Sequence, residues 1–410
     1  VRRLATRVTP DALRRVRAGH PWIFDRSITR LAAGGAPGDL AVVFDERRRF
    51  VAIGLYDPES PIRIKVLHRG APTLIDGAFW RRRLAGSLAR RDALARSGHT
   101  DAYRVVHGEN DGLPGLVLDR YGDVAVLKLY TAAWFAHLDE VVAAVDDVVG
   151  PRSLVLRLAR NVGSATGERA RGAPADGHVL LGEAPGTVRF LERGLRFAAD
   201  PVAGQKTGSF LDQRDNRHRV RRASRGARVL DAFSCAGGFS VNAAAGGAQL
   251  VHSVDLSAAA IDAAVLNMSL NRSLEAVRRC RHHTTVGDAA TVMADMAAAG
   301  RRFDLVVVDP PAFATRRDQV RGALAAYGRL TGLALDLLEP GGLLVQASCS
   351  SRVSVEDLAG TMHAAAERRG RRLDEVVRTG QPLDHPVGFP EGAYLCAVFA
   401  TVAPGSRGRL

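Results

Sequence analysis

From about residue 200 onward, short apolar runs alternate with longer helical stretches, and this alternation constrains the fold more than any other feature of the chain. Val229-Leu230-Asp231-Ala232-Phe233 and Leu250 to Asp255 have the length and composition of buried strands, as do Phe303 to Asp309 and Gly342 to Ala347. An Ala-rich helix follows the first, a second helix is expected from Ser257 to Asn271, and a third over Arg321 to Leu338. Strands that return in parallel after each helix build an α/β sheet covered by helices on both faces. In such sheets ligands bind beyond the carboxyl ends of the strands, so the residues just after each strand are where chemistry is to be sought.

Those positions are rich in acids and glycines. The first strand runs through Asp231 into Cys235-Ala236-Gly237-Gly238-Phe239-Ser240. Gly237 and Gly238 let a ligand approach the backbone, and the helix that begins there offers free N–H groups. The turn is not the G-x-G-x-x-G of dinucleotide enzymes. Asp255 closes the second strand, where a carboxylate can accept both ribose hydroxyls of an adenosyl group; a helix N-cap region with Ser257 reads equally well. Gly287-Asp288-Ala289 supplies a third turn, in which Asp288 and Ala289 can meet an adenine amine. Asp309-Pro310-Pro311-Ala312-Phe313 follows the strand Leu305 to Val308. Two prolines keep that loop out of any following helix. Asp309 and bare carbonyls can then face a planar base amine, Pro310 and Pro311 can line the base, and Phe313 is available for stacking.

Cysteine usage narrows the chemistry. The four thiols, Cys235, Cys280, Cys349 and Cys396, form no C-x-x-C pair and no Cys/His cluster of metal-ligand spacing, so no metal is expected. Cys349 stands in Ser348-Cys349-Ser350-Ser351, just past the strand that follows the Asp-Pro-Pro strand, and a parallel sheet sets the two loops side by side. Carbon 5 of cytosine is a poor nucleophile until a thiolate adds to carbon 6; carbon 5 can then take a methyl from a sulfonium. Cys349 suits that nucleophile and Asp309 suits stabilisation of the ring through its N3 and amine edge. Cys235 is read as a packing residue, and Cys280 and Cys396 have no catalytic partner in sequence.

The N-terminal half is of a different kind. Residues 1–70 read as a small β-rich unit after one helix, Pro10 to Ala18, with strands at Leu40 to Phe44, Phe50 to Leu55 and Ile62 to Leu67 forming a compact barrel. Residues 71–199 read as a mixed α/β domain. It opens with a basic helical stretch over 75–97. Strands follow at Tyr103 to Val106, Gly115 to Leu118, Val124 to Leu129 and Leu154 to Leu158, with a helix near Ala132 to Val145. Residues 161–185 read as a surface loop, and strands near Thr187 to Phe190 and Leu195 to Ala198 close the domain. The third domain is placed at 200–403, with Pro404 to Leu410 a frayed tail. The formal net charge of +14 favours a polyanionic partner, because each neutralised phosphate releases counterions. A genomic bias toward Arg explains Arg over Lys but not the surplus over acids. No apolar run reaches membrane-spanning length, and the basic start Val1 to Arg7 lacks a hydrophobic signal core, so a cytoplasmic location is expected.

Several motifs together resemble one family. They are Gly19-His20-Pro21-Trp22-Ile23-Phe24, Gly54-Leu55-Tyr56-Asp57-Pro58-Glu59-Ser60, Asn110-Asp111-Gly112-Leu113-Pro114-Gly115 and Asp119-Arg120-Tyr121. The segment Gly204-Gln205-Lys206-Thr207-Gly208-Ser209-Phe210-Leu211-Asp212-Gln213-Arg214-Asp215-Asn216-Arg217 is the most specific; Asp384-His385-Pro386 and Pro390-Glu391 add to it. Over nearly its whole length the chain resembles class I S-adenosylmethionine-dependent rRNA methyltransferases that carry an N-terminal PUA domain. The resemblance implies a PUA-like barrel, a mixed α+β linker domain and a Rossmann-like class I methyltransferase sheet. It implies S-adenosylmethionine as cofactor, 23S rRNA as partner and a homodimer as an available state. It places Phe210, Asp212 and Arg214 over the cofactor and Cys349 at the family's nucleophile position. Asp212 is also suited to capping a helix near Gln213, and Arg214 and Arg217 to a solvated basic helix face. Larger two-cysteine relatives carry a second Cys after Asp-Pro-Pro; here Ala312 stands there, which leaves the base that removes the C5 proton open.

The leading expectation is therefore an rRNA cytosine-C5 methyltransferase. Guanine-N7 methylation without a covalent nucleophile, a non-catalytic ribosome-assembly factor that only grips RNA, and a small-molecule methyltransferase are the rivals. The last has no use for the first 200 residues.

Overall fold

The computed structural model describes residues 1–162, 174–204, 206–314 and 316–403. The expected tail at 404–410, part of the expected 161–185 loop and Gln205 of the long motif lie outside the described residues. The chain divides into two compact units that interleave in sequence. One is Val1–Leu191 with Ala199–Leu211 and Leu383–Gly392; the other is Glu192–Ala198 with Asp212–Pro382 and Ala393–Leu410.

The first unit carries two sheets. In the six-stranded sheet the order is Trp22–Ile23, Ile64–Arg69, Phe50–Tyr56, Leu40–Phe44, Arg3–Val8 and Ile28–Leu31. The sequence reading missed Arg3–Val8, where an alternating strand pattern is overlaid by two arginines and a threonine; it pairs in parallel with Leu40–Phe44. The helix Pro10–Arg17 starts as expected, with Pro at its first turn and Thr9 Oγ1 accepting the Ala12 N–H. The five-stranded sheet runs Val179–Leu181, Ser153–Leu158, Val124–Leu129, Leu116–Tyr121 and Ala102–His107. Val179–Leu181 therefore corrects part of the expected surface loop: three half-buried residues are too few to carry a period, and pairing with Leu154 and Val155 decides the matter. One core joins Leu40, Ile53, Leu55 and Leu67 of the first sheet to Phe79, Trp80, Leu118, Leu127 and Trp134 around the second.

Buried ion pairs organise this unit. Arg91 and Asp111 are both fully buried and bidentate, at 2.8 and 2.6 Å. Arg104 grips Asp119 with two bonds of 2.8 and 2.9 Å, and Thr207 donates to the same carboxylate at 2.6 Å. The segment Leu383–Gly392 closes the group: Asp384 Oδ2 accepts the Arg104 N–H and its carbonyl accepts Arg91 Nη2, each at 2.9 Å. Phe389 packs edge-on against Trp22 with centroids 5.0 Å apart, and Glu391 lies 3.5 Å from His20.

In the second unit, α1 (Arg214–Ala223) leads into a seven-stranded sheet of β1 (Arg228–Ala232), β2 (Leu250–Asp255), β3 (Arg281–Val286), β4 (Phe303–Val308), β5 (Leu338–Ser348), β6 (Leu373–Thr379) and β7 (Cys396–Val402). Its helices are α2 (Gly238–Ala245), α3 (Ala258–Leu270), α4 (Glu275–Arg279), α5 (Ala289–Ala298), α6 (Val320–Leu337) and α7 (Val355–Glu367). The strand order is β3-β2-β1-β4-β5-β7-β6. The chain walks outward from β1 to β3 and then crosses to the other side of β1, so the order reverses between β1 and β4, where a ligand crevice is expected. The expected all-parallel sheet is corrected at one edge: β7 runs antiparallel to both β5 and β6. Leu230, Val254, Val306, Val308 and Leu344 form the sheet's part of a core with Met293, Tyr327, Leu330, Leu335, Leu358 and Met362 from the helices. Among the described residues no helix is long and apolar enough to cross a membrane.

Candidate active site

The carboxyl ends of β1, β2, β4 and β5 meet the expected residues, but several play parts the sequence did not reveal. Asp231 is fully buried. Its Oδ2 accepts the Ser240 N–H at 2.9 Å and the Ser240 hydroxyl at 2.6 Å, while Oδ1 has no hydrogen-bond partner among the described residues. Ser234 Oγ, in the turn after β1, is likewise buried without a partner. The turn is tightly wound: Phe233, Cys235 and Gly237 have φ of 63°, 47° and 72°. A left-handed conformation costs a side-chain-bearing residue roughly 1–2 kcal/mol, so the rest of the loop must hold it. Asp255 does part of this, its Oδ2 accepting the Cys235 N–H at 2.8 Å and its Oδ1 the Ser257 N–H at 2.9 Å.

The glycines are explained by packing as well as by room for a ligand. A Cβ on Gly237 would stand 2.7 Å from the Ala264 Cβ of α3, and one on Gly238 would stand 2.8 Å from Cδ of Arg217. Gly237 is also the N-cap of α2 and has no side chain to cap it, so of the helix's first amides Ser240's is held by Asp231 and none by the N-cap residue.

Electrostatics at these strand ends favour a cation. Burial pushes the Asp231 carboxyl up to about 7, and the negative charges of Asp309 and Asp255 push in the same direction against the Ser240 bonds. Three carboxylates thus act on one region, and a ligand carrying positive charge relieves their repulsion. Asp288 is placed differently. It is exposed and caps α5, accepting the Thr291 N–H at 2.9 Å and hydroxyl at 2.8 Å through one oxygen; those bonds hold its pKa below the usual carboxylate range. Ala289 is buried in the first turn of α5.

The Asp-Pro-Pro loop and the Cys349 loop lie side by side, as β4 and β5 are parallel neighbours with Val308 opposite Gln346. The half-buried Cys349 thiol points at the Pro310 carbonyl, 3.8 Å away and one residue past Asp309. Pro310 is buried, while Pro311 and Ala312 are exposed. Phe313 is half-buried and turned onto Tyr327, with ring centroids 5.0 Å apart. Sequence reasoning missed the bracing of this loop. The Tyr327 hydroxyl donates to Ser348 Oγ at 2.8 Å, and Ser350 Oγ donates to the Ala314 carbonyl at 2.5 Å. Burial raises the other thiols: Cys235 upward, Cys280 to about 11 and Cys396 to about 12, so none of the three is a ready nucleophile.

The segment before the sheet corrects two expectations. Asp212 does not cap α1; it sits in a 3₁₀ turn, Leu211–Gln213, and accepts the Tyr394 hydroxyl at 2.9 Å. Arg214 and Arg217 are buried rather than solvated, and Arg217 is clamped by Glu192. The partner glutamate is far enough upstream to hide this pairing from local pattern. Phe210 belongs to the first unit, where the Lys206 ammonium lies 4.0 Å from its ring centroid.

Comparison with known proteins agrees with this arrangement. Residues 7–69 match the PUA-like domain family, and residues 160–393 match a family described as S-adenosylmethionine-dependent methyltransferase. A protein of Deinococcus radiodurans named ribosomal RNA large subunit methyltransferase is 47% identical over 403 residues, covering 97% of each chain. One of Erwinia tasmaniensis named ribosomal RNA large subunit methyltransferase I is 34% identical over 379 residues, covering 92% of this chain and 93% of its own. Among solved structures, a methyltransferase complexed with SAH superposes with a TM-score of 0.82 at 21% identity, over 98% of this chain and 100% of its own. A SAM-dependent methyltransferase from Streptococcus mutans gives 0.81, also at 21% identity, over 97% and 100%. These two likenesses concern the fold.

Proposed function

We propose a reaction for this chain, which belongs to the S-adenosylmethionine-dependent methyltransferase family and carries a PUA-like domain ahead of the catalytic sheet. It is a methyltransferase of large-subunit ribosomal RNA, and its product is 5-methylcytosine in 23S rRNA, formed in the cytoplasm through a covalent bond to Cys349. The cofactor brings a methyl group on a positively charged sulfur, beside an α-ammonium. The residues present fit it: Asp231 Oδ1 and Ser234 Oγ are buried polar atoms without partners, and three carboxylates stand where its positive charges would lie. Asp231 would take the ammonium, free α2 amides would take the carboxylate, and Asp255 would offer lone pairs to the ribose hydroxyls beyond the two amides it already accepts.

The observation that carries the cytosine reading is the placement of the Cys349 thiol against the Pro310 carbonyl, one residue past Asp309, at the ends of neighbouring parallel strands. As a thiolate, Cys349 adds to C6 of the base, forming a C–S bond and moving ring electrons toward C5. Asp309, carrying a proton, donates to N3, where charge develops, and accepts from the ring amine with its other oxygen. C5 forms the new carbon–methyl bond as the methyl–sulfur bond breaks, its electron pair staying on the sulfur, which leaves as a neutral thioether. Its proton then leaves to water, the C6–S bond breaks, the ring double bond returns and the thiolate is released. The exposed Pro311 and Ala312 present a rigid ledge for the base, and the basic chain as a whole supplies phosphate attraction.

The test is to incubate purified protein with labelled S-adenosylmethionine and 23S rRNA and identify the modified nucleoside by mass spectrometry. 5-Methylcytosine that disappears in Cys349→Ala supports the scheme. A modified guanine, or full turnover by Cys349→Ala, replaces it with direct transfer to another base atom.

A further inference from the structure

A chain of buried hydrogen bonds leaves the cofactor turn in the direction away from the substrate. Ser240 Oγ, bonded to Asp231 at 2.6 Å, is also 2.7 Å from Ser253 Oγ on β2, and Ser253 Oγ is 2.8 Å from Nε2 of His282 on the edge strand β3. Ser240 and Ser253 are fully buried and His282 is half-buried. A serine hydroxyl has one proton to give. With Asp231 ionised and accepting only, Ser240 must donate to it, Ser253 must donate to Ser240, and His282 must donate its Nε2–H to Ser253. The direction of every bond is thereby fixed, from the sheet edge inward to the carboxylate. In the reverse direction each donor becomes an acceptor, and the chain then requires a proton on Asp231 and a bare Nε2 on His282.

We propose that His282 is a positioning residue for the cofactor site: by donating through Ser253 and Ser240 it holds Asp231 in the acceptor-only state that receives the cofactor's ammonium. The inference rests on the assignment of Asp231 as a cofactor carboxylate, though not on which base is methylated. The groups facing the relay act on it unequally. Burial most of all, then Asp309 and Asp255, disfavours charge on Asp231, and the aligned donors at Ser240 oppose them. At the other end burial and the neighbouring His283 depress the His282 pKa to about 4, which leaves a neutral ring able to carry its single proton on Nε2. A second histidine supplies an internal comparison. His252 joins β2 to β3 in the same manner, Nε2 to Thr285 Oγ1 at 2.8 Å, but that bond leads to Thr285 rather than toward Asp231.

Calorimetric titration of the full-length protein with S-adenosylmethionine at pH 7.5, alongside thermal melts, tests this. His282→Leu is expected to weaken binding about three- to tenfold, the worth of one to two aligned donors. His282→Gln, whose side-chain amide reaches the Nε2 position, should restore affinity to within twofold, and His252→Leu should change it by less than twofold. If His282→Leu does not fold, Ser253→Ala breaks the next link and carries the same expectation. Wild-type affinity in a folded His282→Leu or Ser253→Ala protein overturns the relay, as does equal weakening by His282→Leu and His282→Gln. Wild-type protein that fails to bind S-adenosylmethionine rejects the cofactor assignment itself, a separate outcome.

Discussion

Replacing Asp231 by Asn isolates the cost of a buried carboxylate from the benefit of a cofactor ligand. An amide fills the same volume and still accepts the Ser240 N–H and hydroxyl, but carries no charge to desolvate. In the folded protein burial raises the Asp231 pKa from 3.8 to about 7, with Asp309 and Asp255 adding to the effect. An acid whose folded pKa lies above its unfolded value contributes stability that is complete below the unfolded value and is lost as pH rises through the folded one. From 3.8 to about 7 the loss amounts to at most roughly 4 kcal/mol. The cofactor-free wild type should therefore melt progressively lower between pH 4 and pH 8 relative to Asp231→Asn, by up to about 8–16 °C for a unit of this size. Saturating S-adenosylmethionine should cancel the difference in the wild type alone, since a bound cation lowers the carboxyl's pKa, and the variant should bind it at least tenfold more weakly. Scanning calorimetry at half-unit pH steps, with and without cofactor, reads both effects. A wild-type-minus-variant difference that stays flat from pH 4 to 8 refutes the reasoning, because Asp231 would then not titrate in that window.

Other perturbations probe separate parts. Cys349→Ala should bind cofactor within twofold of wild type while transfer to RNA falls below detection, read by calorimetry and a radiolabel assay on one preparation. Tyr327→Phe removes the hydroxyl that braces Ser348, one residue before Cys349; it should cost about 1 kcal/mol in stability and lower kcat with little change in cofactor Kd. Gly237→Val combines a left-handed φ of 72° with a Cβ 2.7 Å from Ala264, and should abolish cofactor binding and lower the melting temperature by several degrees. Asp111→Ala strands the fully buried Arg91 and should destabilise the first unit by about 3–5 kcal/mol in denaturant titration.

The catalytic sheet was legible because its strands are buried on both faces and read as near-continuous apolar runs that end in an acid; Leu250–Asp255 coincides with expectation residue for residue. The edge strand β3 was not, since Arg281, His283, Thr284 and Val286 are exposed and the run has no apolar face. The placing of Cys349 beside Asp309 followed from parallel order alone. The relay behind Asp231 could not follow, because it depends on register between β2 and β3. Two polar residues, His252 and Ser253, inside an otherwise apolar strand were its one visible sign. Arg214 and Arg217 were misread for a related reason: charge in a helix indicates solvent unless the partner is known, and Glu192 is supplied by a different part of the chain. Asp288 shows the converse, an acid at a plausible ligand position that is occupied in capping α5.

The ten residues from Leu383 to Gly392 have a consequence for biosynthesis. Arg91 and Arg104 are made early, yet the aspartate that completes their bonding is Asp384, separated from Arg91 by 293 positions. An N-terminal portion that emerges from the ribosome holds the buried Arg91 guanidinium and the Arg104 backbone amide without this last acceptor until residue 384 has been translated. The Arg91 site is thus finished only when residue 384 arrives, and a fragment ending near residue 200 would carry that gap built in.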